Sequence, residues 1–238
     1  MGGTDLVADA VEALKRGLPV LVFDSEGRER ETDIFFLAEK VDHHSIRLLR
    51  RDAGGLICVS LHPKIADVLG LPFLRELLAL YSSKLKTLYV KPLPYDERSA
   101  FSITINHVDT FTGISDRDRA RTISRLGELC RMYWTRNISE DELCQKFLSE
   151  FRSPGHVFLL RAANNIVFER QGHTELAIAL AMLGNLTPCV VLAEMLGDDG
   201  YSLSMKDAKE YARRHGYVFL EGKVIIEEFK RSFGGKTA

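Results

Sequence analysis

The chain has 238 residues, 45% of them hydrophobic and 27% charged, with a formal net charge of −1, so it can bury a sizeable core, and one domain over residues 1–238 is expected. No basic field points to nucleic acid, no acidic excess points to a disordered tail, and no apolar run approaches the roughly 20 residues that span a bilayer. The four cysteines, Cys58, Cys130, Cys144 and Cys189, lack CxxC spacing, which removes a zinc ribbon or redox dithiol, and together with an N-terminus without a signal-peptide core they predict a soluble cytoplasmic protein with reduced thiols.

Leu6, Val7, Ala10, Val11, Ala13 and Leu14 recur at helical spacing after Thr4, and Gly17 with Pro19 ends the helix. Two short branched and aromatic runs, Val20–Phe23 and Ile34–Ala38, read as buried strands. Between them lies DSEGRERETD, Asp24 to Asp33. In an extended chain its period of two would set Glu29, Glu31 and Asp33 on one side and Arg28 and Arg30 on the other. Such a loop is either a solvated, self-neutralising turn or a site for a hydrated divalent cation beside an anionic ligand.

His44–Arg51 is predicted helical, Leu56–Ser60 a third strand carrying Cys58, and Pro72–Leu80 a leucine-rich helix. Residues 82–98, interrupted by Pro92 and Pro94, read as a surface excursion. Phe101–Ile105 alternates as a strand. Ser115 with Asp118, and Ser139 with Glu142, cap two helices. A strand-then-helix rhythm follows: the strands HVFLLRA from His156 and NIVFE from Asn165, a helix from Thr174 to Leu183, the strand CVVLAEML, a helix from Ser204 to Gly216, then YVFLE and a closing helix over Lys223–Lys230. The irregular interleaving predicts an α+β fold in which helices layer a mixed twisted sheet as an α/β/α sandwich.

Four further stretches could carry chemistry. In RQGHTELA, Gly172 turns the chain into a helix start flanked by Arg170 and His173, which is either a phosphate site or an ordinary cap. In RSPGHVFLLRA, His156 stands at a strand entrance, as an acid–base group or as a structural hydrogen-bonding residue. Glu194 ends an apolar strand, where burial raises a carboxyl pKa unless an internal salt bridge holds it. In TFTGISDRDRARTI, Thr110, Thr112, Gly113 and Ser115 offer donors at another helix entrance, or merely cap it. Cys58 alone reads as a small buried hydrophobe.

Taken in order, DSEGRERETD, TFTGISDRDRARTI, RSPGHVFLLRA, RQGHTELA and AEML followed by DDG resemble the 3,4-dihydroxy-2-butanone 4-phosphate synthases of riboflavin biosynthesis over nearly the whole chain. The resemblance implies a lyase that converts ribulose 5-phosphate to 3,4-dihydroxy-2-butanone 4-phosphate and formate, with Mg2+ (Mn2+ as an alternative) and no organic cofactor. It implies Glu29 and His173 as metal ligands. Arg28, Asp33, Thr112, Arg170, Gln171, Gly172 and Thr174 then join Glu29, His173 and Glu194 around the sugar phosphate. His156 and Glu194 become the groups essential for catalysis, with Cys58 near the substrate. It further implies a homodimer with active sites at the interface, no nucleic-acid or membrane partner, and no fused GTP cyclohydrolase domain. Ser25 and Gly27 stand where many members carry carboxylates, and the segment YSSKLKTLYVKP fits the family poorly. A phosphometabolite-binding protein without turnover and a nucleotide- or RNA-binding relative of the same layered fold are the competing readings.

Overall fold

The apolar runs on either side of the charged loop pair with each other. In the computed structural model, which describes residues 3–81, 84, 88, 93, 94, 96 and 98–234, strand β1 (Val20–Phe23) lies antiparallel to β2 (Thr32–Leu37), Val22 facing Asp33 and Phe23 facing Thr32. The remaining strands are β3 (Cys58–Leu61), β4 (Phe101–His107), β5 (Phe151–Arg161), β6 (Cys189–Glu194) and β7 (Val218–Glu221). They form one mixed sheet in the order β4-β5-β3-β6-β2-β1-β7, with β3–β5 and β1–β7 parallel and the other pairs antiparallel. Every residue of β1, β2 and β3 is buried, as a central sheet covered on both faces requires.

Helices supply both covers, as the sandwich expectation holds. On one face α2 (His43–Asp52), α5 (Asp116–Trp134), α6 (Glu140–Glu150) and α8 (Met205–His215) bring Ile46, Leu126, Phe147 and Ala212 onto Ile34, Val59 and Val191. On the other, α1 (Gly3–Lys15), α7 (His173–Leu183) and α9 (Gly222–Phe233) bring Leu14, Leu176 and Phe229 onto Val22, Phe35 and Leu192. Helix α7 is buried from His173 to Ala181, so its sequence is small and apolar all round rather than striped. Two short helices, α3 (Pro63–Val68) and α4 (Leu74–Tyr81), complete the described elements. No helix among the described residues is long and apolar enough to cross a membrane.

Three expectations change. NIVFE is not a strand: Ile166–Phe168 is a 3-10 turn with Ile166 at φ 49°. The chain must reverse there to bring Arg170 to the start of α7, and no alternating pattern resists the turn. Helix α3 escapes a periodicity search because it is six residues long; Pro63 at its first position and the His62 ring, which accepts the Lys64 N–H at 3.1 Å, start it. Strand β5 begins at Phe151 and runs through Pro154. The segment 82–98 falls mostly outside the described residues. The capping expectations hold, with Ser115 accepting from Asp118 N, and Ser139 and Glu142 forming a reciprocal box.

Helix α5 approaches the turn after β2 so closely that a Cβ at Gly127 would stand 2.4 Å from Glu39 N and 2.7 Å from the Ala38 carbonyl carbon. Intrinsic helix propensity favours Ala over Gly by about 1 kcal/mol. The contact is with backbone that cannot rotate away, so Gly127→Ala is expected to destabilise the protein by about 1–3 kcal/mol. A thermal melt reads this as a lowered Tm; a raised Tm would show that propensity outweighs packing at this crossing.

Candidate active site

The charged loop is folded by its own first residue. Asp24 is buried, and its carboxylate accepts the Glu29 N–H at 2.9 Å and the Glu31 N–H at 3.1 Å, while its own N–H donates to the Glu31 carbonyl. The loop closes as a turn with Arg30 in the left-handed region at φ 60°, which replaces the extended alternation. Arg30 and Glu26 pair at the surface, and Glu31 accepts the Ser202 hydroxyl. Glu29 and Asp33 face inward.

They meet His173, the first residue of α7. Glu29 Oε2 lies 3.6 Å from its Nδ1, and Asp33 Oδ1 lies 3.4 Å from its Nε2. Asp33 faces Glu194 across the β2–β6 ladder. A small cavity of about 100 Å3 is lined by Glu29, Asp33, Cys58, Arg170, His173 and Glu194, with Thr174 beside them. Burial would lower the His173 pKa, but Asp33, Glu29 and Asp24 outweigh it and push it up to about 10. Burial raises Asp33 well above the usual carboxylate range, the neighbouring Glu194 and Glu29 adding to it against His173. Glu194 is likewise raised, chiefly by burial. Glu29 is the exception: burial opposes its ionisation, yet His173, Arg170 and Arg28 hold its pKa below normal. Burial also keeps Cys58 a neutral thiol.

Among the described residues, both Asp33 oxygens and both His173 ring nitrogens are buried without a hydrogen-bond partner, although such groups are costly unless satisfied. Ligand atoms of Asp24, Glu29 and His173 lie within 4.8 Å of one another. The 3.6 Å between Glu29 and His173 is near the roughly 3 Å that separates adjacent ligand atoms of an octahedral ion with bonds of about 2.1 Å. These residues fit a hard divalent cation.

Beside this cavity, and sharing Arg170 with it, lies a wider one of about 560 Å3, lined by Arg28, Asp96, Arg98, Glu169, Arg170 and Gln171. Arg170 donates through Nε to Asp96 at 2.5 Å and through Nη1 to Glu175 at 2.7 Å. Glu175, fully buried, also accepts the backbone N–H groups of Ala163 and Gly172. It thereby fixes the turn into α7 and the guanidinium together. Gln171 is exposed and donates to the Val167 carbonyl.

His156 and Thr112 are not brought here. Both are exposed, and neither lines the cavity with Glu29. They are instead gathered by Asn106: its Oδ1 accepts the His156 N–H at 2.9 Å, its Nδ2 lies 3.1 Å from the His156 ring, and the same nitrogen approaches the Thr112 carbonyl at 3.4 Å. A Cβ at Gly113, where φ is +92°, would collide with that carboxamide. Sequence reasoning missed Asp24, Asp96, Asn106 and Glu175. Glu175 had a readable signal, three residues past a helix-entry glycine; the other three act through contacts that spacing does not show.

The family model for 3,4-dihydroxy-2-butanone 4-phosphate synthase matches residues 8–228. The chain belongs to that family. It is 46% identical over 228 residues to a synthase of Methanothermobacter thermautotrophicus, covering 94% of this chain and 96% of that one. A solved synthase in complex with two magnesium ions superposes with a TM-score of 0.75 at 27% identity, covering 96% of this chain and 98% of that one. The Candida albicans synthase gives a TM-score of 0.70 at 30% identity, covering 93% and 95%. The family converts ribulose 5-phosphate to 3,4-dihydroxy-2-butanone 4-phosphate in riboflavin biosynthesis.

An imidazole can ligate a metal only after losing its second proton. With His173 at about 10, Mg2+ binding at pH 7 is expected to release about one proton per ion. Calorimetry in buffers of different ionisation enthalpy measures this directly. Ion binding with no proton release would place the ion away from His173.

Proposed function

We propose that this chain is a carbon–carbon lyase that converts ribulose 5-phosphate to 3,4-dihydroxy-2-butanone 4-phosphate and formate. It acts as a cytoplasmic homodimer of single-domain subunits, with Mg2+ or Mn2+ and no organic cofactor. The observation that carries the reading is the buried pair of Asp33 and His173, without hydrogen-bond partners among the described residues, set between Glu29 and Glu194 and opening onto an arginine-lined cavity.

Glu29 and His173 would hold the divalent ion, with Asp24 beside them. When bound, such an ion stabilises negative charge on neighbouring substrate oxygens. Arg28 and Arg170 hold the phosphate, and Thr174 with the first N–H groups of α7 adds donors where the helix dipole favours an anion. Gly172 leaves room for the Arg170 guanidinium, since a Cβ there would stand 2.3 Å from its Nη1. Gln171 borders the same cavity. The reaction needs several proton transfers, beginning beside a ketone. Asp33 and Glu194 suit them because burial raises both pKa values, so that each carboxyl takes up a proton more readily than an exposed one. Cys58 lines the cavity as a neutral thiol and shapes it.

His156 and Thr112 are assigned to the active site of the other subunit. Phe111, beside Thr112, is 95% exposed, and Val108 and Ile114 nearby in the chain are exposed too, apolar side chains of the kind that protein partners cover. Two such subunits related by a twofold axis each lend His156 and Thr112 to the other.

Purified protein is expected to release formate from ribulose 5-phosphate with Mg2+ and to stop when a chelator is added. Glu194→Gln should lower kcat by at least about 100-fold. Binding of the sugar phosphate without formate release would instead support a phosphometabolite-binding protein. The shared site has its own test. Inactive Glu29→Gln and His156→Ala proteins, unfolded and refolded together, should recover about a quarter of wild-type activity, because half of the random dimers carry one intact site of two. No recovery would mean that each subunit completes its own site.

A further inference from the structure

The wider cavity holds three guanidinium groups, and each already faces a carboxylate. Arg98 pairs with Glu169 at 3.2 Å, Arg170 with Glu175 at 2.7 Å, and Asp96 Oδ2 takes Arg28 Nη2 at 2.9 Å and Arg170 Nε at 2.5 Å. Among the described residues these charges balance, so a phosphate dianion entering the cavity meets no net positive charge from them until a carboxylate gives way. Glu175 cannot, because it is fully buried and holds two backbone N–H groups at the start of α7. Glu169 engages Arg98 and the Asn165 N–H, and neither of the arginines that border Glu29 and His173. Asp96 alone among these carboxylates bridges Arg28 and Arg170. Its oxygen sits between two guanidinium groups in the manner of a phosphate oxygen.

We propose that Asp96 is a specificity-determining internal anion. It occupies the ground on Arg28 and Arg170 that the substrate's phosphate requires, so phosphate binding is the exchange of a carboxylate for a phosphate. This rests on the phosphate placement given above. The exchange favours a dianion, which offers the two arginines more charge than the carboxylate it displaces, over a neutral sugar or a monoanion, which does not. Affinity for the phosphate is given up for selectivity, and the arginines remain paired when no substrate is bound.

Calorimetric titration of the full-length protein with inorganic phosphate tests this without turnover. Asp96→Asn and Asp96→Ser are both expected to bind phosphate about three- to tenfold more tightly than wild type. The KM for ribulose 5-phosphate should fall with it while kcat does not rise in proportion. Two neutral replacements moving together identify charge as the cause, and thermal melts confirm that each variant is folded. Weaker phosphate binding in folded variants would make Asp96 a strut that holds the arginines in place and would overturn the exchange, as would unchanged binding. A wild-type protein that fails to consume ribulose 5-phosphate would count against the reaction alone, since the phosphate titration still decides the role of Asp96.

Discussion

Four carboxylates converge on one end of the sheet, Asp24 from the end of β1, Glu29 from the loop, Asp33 from β2 and Glu194 from β6, and their mutual repulsion in a buried setting is the constraint on which the rest turns. Burial and like charge both disfavour ionisation there. The fold answers with three sources of positive potential: the His173 ring, the Arg28 and Arg170 guanidinium groups, and the amino end of α7. The first two hold the Glu29 pKa down while Asp33 and Glu194 remain raised. One carboxylate is thus held toward its charged form, which suits the ligand role proposed for it, and two are pushed toward their protonated form, which suits the proton transfer proposed for them. The division of labour follows from position: Glu29 reaches toward the arginines, whereas Asp33 and Glu194 lie side by side on adjacent strands.

The architecture serves that cluster. Mixed pairing places the end of β1, the start of β2 and the end of β6 at one end of the sheet, and α7 approaches the same end with its N-terminus foremost. A helix buried all round is a rigid mount. Glu175 ties its entrance to Arg170 and to the chain after β5, so the histidine, the arginine and the helix dipole are fixed as one piece.

Much of this was legible in the sequence for physical reasons. Val20–Phe23 is buried throughout, and a fully buried strand has no polar positions to blur its apolar run. Ser139 and Glu142 announce a helix start because their chemistry is local. The charged loop and RQGHTELA were recognisable as paired segments through family resemblance, and the fold brings Glu29 within 3.6 Å of His173. What stayed hidden was non-local. Asp24 looks like one acid among several until its two backbone acceptor roles are seen, and Asp96 lies in the proline-interrupted excursion over residues 82–98, 74 residues from the arginine it meets. NIVFE misled because an apolar run of that length suits a strand or a buried turn equally, and only its tertiary neighbours choose.

Asn106 has a consequence for how such a protein can change over time. One carboxamide holds the Thr112 segment and the His156 backbone and ring together, and a glycine at 113 exists in the space that carboxamide leaves. Residues far apart in the chain therefore form a single heritable block. Recombination between relatives that separated position 106 from 112–113 or from 156 would join halves that never learned to fit, so descent should move these positions together or not at all.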